Sequence, residues 1–186
     1  MPHIALNSAE PGIRGLLRFR PETGRTLSDL AEALLRGPST LTRGERELIA
    51  AYVSGLNDCR YCASSHSACA AAQLPEGMAL VAQVRADPAT AAVSAKLNAL
   101  LQIASAVQHS GHAVTAELVA EARAVGATDV EIHDTVLIAA AFCMFNRYVD
   151  GLATIAPDDP EVYEAGAQRL VTYGYLAPPA GPDHGG

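Results

Sequence analysis

Several things are missing from this 186-residue chain, and each absence narrows the field. Tryptophan is absent while alanine is abundant, so packing rests on small residues that favour helix and let helices approach closely. No uncharged apolar run reaches 18 residues, which excludes a helical membrane span. The opening MPHIALNSAEPGIRG lacks a basic region followed by an apolar one, so no secretory signal is expected. Basic residues number 13 against 20 acidic ones, a formal charge of −7; that balance disfavours a nucleic-acid partner. Four cysteines are too few for a disulfide scaffold, and a Cys-x-x-Cys pair in such a chain more often means redox or metal chemistry. Strand signals are nearly absent, as are a glycine-rich phosphate loop, a Ser/His/Asp elbow and a repeat of 20–50 residues.

What is present is a series of helical patterns. Residues 1–25 show no sustained period and read as an extended N-terminal arm, with one turn near Leu16–Phe19. It is either loosely packed or laid on a neighbouring subunit. Ser28 opens a short helix ended by Gly37-Pro38. Thr42-x-x-Glu45 is a capping box. It opens a helix carrying Leu48 to Val53 as an unbroken apolar run, the mark of a central bundle helix. Further helices are expected over about 58–73, 75–85, 89–109 and 115–125. Another follows the capping box Thr128-x-x-Glu131, and a last one runs from Asp159-Pro160 to about Tyr173. The fold class is therefore all-α. A single helical domain is expected over 26–175, with a disordered tail at 176–186.

The chemistry concentrates in ELIAAYVSGLNDCRYCASSHSAC, residues 47–69. Gly55-Leu56-Asn57-Asp58 is a turn signal. Glu47 and His66 lie equally far from its midpoint, so an αα-hairpin would set them at one height on facing helices. Cys59, Cys62 and His66 are spaced i, i+3, i+7 and share a helix face. With Asn57 or Asp58 as N-cap, both cysteines fall in the first turn, where free N–H groups and the helix dipole favour a thiolate. His66 is placed to take the Cys62 proton, with Glu47 to orient the imidazole. The competing arrangement is zinc on Cys59, Cys62, His66 and Cys69. One straight helix cannot wrap all four, because positions 59 and 69 stand about 15 Å apart along the axis; three of them with Glu47 remains open. Cys69 and Cys143 otherwise read as packed core thiols, and His3, His109, His112, His133 and His184 as surface groups.

The pattern Glu47-x11-Cys59-x2-Cys62-x3-His66, with the later AAAFCMFNRYVDGL, resembles the signature of the alkylhydroperoxidase D (AhpD)-like group of the carboxymuconolactone decarboxylase superfamily. The likeness runs from about Leu41 to Leu152, and length and N-terminal extension point to the peroxidase-related subgroup. One departure is Tyr61, which stands where some relatives carry a histidine between the cysteines. The resemblance implies a bundle of seven or eight helices, a homo-oligomer (trimer or hexamer) and a cytoplasmic thiol peroxidase without cofactor. Such an enzyme takes a small hydroperoxide and an external thiol donor. The resemblance makes Cys62 the attacking thiol, Cys59 its resolving partner, and His66 and Glu47 the proton relay; thioredoxin-like motifs would instead make Cys59 the attacker. Tyr61 is open to a pocket or an interface role. For Asn146 and Arg147 the resemblance is the sole functional hint, and a structural role is equally open. A disulfide oxidoreductase, a redox- or zinc-binding helical module, and carboxymuconolactone decarboxylase-type activity are the alternatives. The last is disfavoured because those relatives work without a cysteine pair.

Overall fold

Two capping boxes set the frame. In the computed structural model, which describes residues 1–176, the Thr42 hydroxyl accepts from the Glu45 N–H at 3.2 Å while the Glu45 carboxylate accepts from the Thr42 N–H at 2.8 Å. Thr128 and Glu131 repeat the arrangement at 3.2 and 2.8 Å. These boxes open α3 (Arg43–Leu56) and α8 (Asp129–Gly151). Around them stand α1 (Ile13–Phe19), α2 (Pro21–Arg36), α4 (Arg60–Ala71), α5 (Gly77–Ala86), α6 (Ala95–His109), α7 (Ala116–Ala124) and α9 (Pro160–Tyr173), with a 3₁₀ turn at Gly111–Ala113. No strand occurs among the described residues.

Helix α3 is the central element, as its apolar run requires. Leu48 to Val53 are all buried, and the helix packs against α4, α8, α6, α5 and α2. The core joins Leu34 and Leu35 of α2, Val81 and Val84 of α5, Leu100, Leu101 and Ile103 of α6, and Ile138 and Phe142 of α8. A second cluster gathers Cys59 and the α4 residues Tyr61, Cys62 and Cys69 with Val149 and the α9 residues Tyr163 and Ala167.

The all-α class is as expected, with nine α-helices among the described residues instead of seven or eight. The extra one is α1. Residues 13–25 are helix apart from Arg20, not an extended arm. The reason is burial: Leu16 is fully buried and Leu6 nearly so, and α1 packs on α2 and α8 of the same chain. Backbone bonds from His3 N–H to Leu152 O and from Gly12 N–H to Ile155 O tie down the segment before it. Helix α2 starts at Pro21, a good first helical residue, so Ser28 lies inside it and caps nothing. Helix α6 starts at Ala95, capped by the Ser94 hydroxyl, and residues 87–94 form a loop. The disordered tail expected from 176 lies, from 177 on, outside the described residues.

Candidate active site

The α3–α4 turn closes with the Cys59 N–H donating to the Ser54 carbonyl at 3.1 Å. Asp58 takes a left-handed φ of 55° there. Neither Asn57 nor Asp58 is the N-cap of α4, contrary to expectation. Cys59 itself holds that position, and no side chain caps the helix. Asn57 is engaged elsewhere: it ends α3, and its amide donates to Asn146 Oδ1 at 2.8 Å. Cys62 is still the third residue of α4, within the first turn where free N–H groups gather.

The hairpin brings Glu47 and His66 together. Glu47 Oε2 lies 2.6 Å from His66 Nδ1, and both side chains are nearly shielded from water. The other carboxylate oxygen accepts from the Tyr175 hydroxyl at 2.7 Å. Burial works against the imidazolium, but the Glu47 charge and hydrogen bond outweigh it and hold the His66 pKa above its ordinary value. Burial and the neighbouring carboxylate push the Tyr175 phenol well up, so it stays protonated and donates. Phe142 meets the His66 ring edge-on at a centroid distance of 4.5 Å, and Tyr175 stacks on it at 6.4 Å.

The two sulfurs have different surroundings. Cys59 is completely enclosed, whereas Cys62 faces a pocket of about 120 Å³ that His66 and Tyr61 also line. A hydrogen bond from the Cys59 thiol, the positive field of His66 and a hydrogen bond from Asn146 together outweigh burial and lower the Cys62 pKa. The same hydrogen bond, followed by burial, pushes Cys59 up. The two thiols are thus shifted in opposite directions, Cys62 down and Cys59 up. All four cysteines are free thiols.

Tyr61 is buried against Tyr163, ring centroids 5.9 Å apart. Gly12 lies on its ring, at a φ of 56° and with no room for a Cβ, so the N-terminal segment roofs this end of the pocket. Asn146 is buried, donates to Ser54 Oγ at 3.0 Å and reaches Cys62. Arg147 is exposed and bonds the Cys143 carbonyl of its own helix at 2.8 Å. Cys69 is a buried core thiol, its pKa raised by burial. Cys143 is only half-buried, with Asn57 Nδ2 3.6 Å from its sulfur. His3, His109, His112 and His133 are exposed; His184 lies outside the described residues. Among the described residues no three His, Cys, Asp or Glu side chains converge on one point where a metal ion could sit, so the zinc set is not assembled. Nor is any described helix long and apolar enough to cross a membrane.

Tyr175 escaped the sequence reading, as did the α9 wall. No motif marks either; the one available signal was an aromatic placed just after a helix that packs on the cysteine segment.

Comparison with known proteins bears on the fold. Residues 21–105 match the carboxymuconolactone decarboxylase family, a stretch that contains Glu47, Cys59, Cys62 and His66. An uncharacterized peroxidase-related protein from Silicibacter sp. TM1040 superposes with a TM-score of 0.74 at 25% identity, over 83% of this chain and 78% of that one. A second uncharacterized peroxidase-related protein, from Ralstonia eutropha JMP134 and described as an alkylhydroperoxidase AhpD core, gives 0.73 at 27% identity, over 84% and 81%. No curated protein matches the chain. The likeness to the AhpD-like group and the carboxymuconolactone decarboxylase family therefore holds in sequence and in fold.

Proposed function

From an AhpD-like core whose pocket ends on a polarised thiol, we propose a thiol-dependent peroxidase that reduces hydroperoxides through Cys62 and Cys59. The observation that carries this reading is the chain of contacts from Glu47 to His66 at 2.6 Å, with Cys62 and His66 both on the pocket wall and Cys59 behind it. His66 Nδ1 is taken by Glu47, which leaves Nε2 to serve the thiol and substrate side.

The Cys62 thiolate attacks the terminal oxygen of the hydroperoxide. The O–O bond breaks, and the leaving alkoxide takes the proton held on His66, giving an alcohol and a Cys62 sulfenic acid. The Cys59 thiol then attacks the Cys62 sulfur; hydroxide leaves and, with the Cys59 proton, departs as water, forming a disulfide. An external dithiol supplies two electrons to restore both thiols. Asn146 supports the thiolate, and Tyr175 keeps the carboxylate turned toward His66. The hydrogen bond to Cys62 that does most to raise the Cys59 pKa is lost once Cys62 is oxidised, which frees Cys59 to give up its proton in the second step.

Substoichiometric peroxide followed by mass spectrometry of the thiols tests the reading. Wild type is expected to form a Cys59–Cys62 bridge, Cys59→Ser to stop at a Cys62 sulfenic acid, and Cys62→Ser to lose turnover altogether. Equal turnover in all three proteins overturns the thiol mechanism. Self-association, which the resemblance implies, has a candidate surface in Leu137 and Met144, exposed on α8; a 19.3 kDa particle by light scattering at micromolar concentration would refute it.

A further inference from the structure

The pocket above Cys62 has a charge asymmetry that the peroxidase chemistry does not use. Its walls are mostly apolar, with Ile13, Leu17, Phe142, Phe145 and Leu170 among them, and no carboxylate lines it. Two arginines do. Arg14 is engaged by Glu10 at 2.6 Å. Arg169, on α9, is half-buried, and among the described residues it makes no ion pair or hydrogen bond. Its Nε is fully shielded from water and has no hydrogen-bond partner there. A shielded guanidinium N–H without an acceptor is destabilising. A half-buried arginine on an apolar pocket wall, with no acidic partner among the described residues, can receive an anion through the guanidinium N–H groups other than the shielded Nε.

Position along α9 sets the second dimension. Tyr163 meets Tyr61 next to Cys62, and Arg169 lies six residues further along the helix, about 9 Å at 1.5 Å per residue. The pocket wall thus carries Cys62 and His66, several apolar side chains, and an arginine six residues further along α9 than the tyrosine that meets Tyr61. The volume of about 120 Å³ approaches the roughly 150 Å³ that encloses a benzene ring.

We propose that Arg169 anchors the carboxylate of a small organic acid in this pocket. On the peroxidase reading, which the naming of the substrate rests on, the preferred substrate is then an organic hydroperoxide with an apolar body and a carboxylate, ahead of hydrogen peroxide or a neutral alkyl hydroperoxide. The anion is gripped at Arg169, the body lies against Phe142 and Leu170, and the peroxide end is delivered to Cys62. Arg169 positions the substrate and takes no part in the bond changes.

Alkylation of Cys62 tests the anchor without any peroxide. The rate of carbamidomethylation of Cys62 by iodoacetamide is followed by mass spectrometry in the presence of millimolar butanoate or of 1-butanol, which has the same body without the charge. The acid is expected to slow alkylation at least threefold and the alcohol to leave it nearly unchanged. Arg169→Gln is expected to abolish the protection, while Arg169→Lys keeps part of it and Arg14→Gln all of it. Equal protection by acid and alcohol in the wild-type protein overturns the proposal, and so does full protection by the acid in Arg169→Gln. Because the readout is alkylation, protection by the acid in a protein whose thiols ignore hydroperoxides would remove the peroxidase reading and leave the anion site standing.

Discussion

Two glutamates are buried in this protein to nearly the same degree, Glu47 at 3% exposure and Glu131 at 1%, and they do opposite things. Glu131, at the start of α8, accepts from Lys96 at 2.7 Å, from Thr40 at 2.9 Å and from the Thr128 N–H at 2.8 Å. Burial favours its neutral form, but the bonds from Lys96, Thr128 and Thr40 outweigh that and hold its pKa at about 2. Its partners are an ammonium, hydroxyls and a backbone N–H, all of them donors. It is a fixed anion joining α2's exit, α6 and α8. Glu47 faces an imidazole and a phenol instead. An imidazole can gain or give up a proton, so on the peroxidase reading a carboxylate buried to the same degree would serve a relay. What a buried acid does is decided by whether its partners can titrate, not by its burial.

The sharpest way to break that contrast is to neutralise each carboxylate without changing its shape. Glu47→Gln is expected to slow the reaction of Cys62 with hydroperoxide about 100-fold, within the usual range for loss of a general acid–base group, with little loss of thermal stability. Stopped-flow kinetics beside a melting curve reads both. The pH dependence of Cys62 alkylation should move in the same variant. In wild type the midpoint is expected below that of a free thiol, because Cys62 is held down by Cys59, His66 and Asn146. Removing the Glu47 charge lowers the His66 pKa, so less imidazolium faces the sulfur and the midpoint rises. A midpoint that stays put separates Glu47 from the thiol.

Glu131→Gln is expected to show the reverse: about 2 kcal/mol of stability lost through its buried bonds, with the peroxide rate per folded molecule unchanged. The sign with pH follows from its depressed pKa. Its contribution is complete above the ordinary carboxylate value of about 4.3 and disappears as pH falls toward about 2. Acid unfolding of wild type between those values should therefore be steeper than that of the variant. If Glu131→Gln loses activity at full stability, the division of labour between the two acids fails. The smallest effect is expected from Tyr175→Phe, which leaves one Glu47 oxygen without its donor: about 1 kcal/mol, or roughly a fivefold slower Cys62 reaction. No change at all would make Tyr175 a packing residue.

Much of this was readable in the chain. Both capping boxes rest on residues three apart, and their geometry is local. The meeting of Glu47 and His66 followed from counting outward from a turn, because a short antiparallel hairpin leaves little freedom in height. The same counting misjudged the start of α4, since Asn57's amide went to Asn146, 89 residues away. The arm at 1–25 was misread because its folding depends on Leu16 finding a buried site against other helices, and no local period signals that.

Sequence alone therefore determined the helical class, the hairpin and the acid–imidazole pair, all set by contacts within one turn or across one short loop. Tertiary structure decided which sulfur sees the pocket, which phenol holds Glu47 from 128 residues away, and that Arg169 looks into an apolar space without a counter-ion among the described residues. Those outcomes depend on how α1, α8 and α9 close over α4, and helix packing angles are set by the shapes of whole faces, which no local spacing encodes.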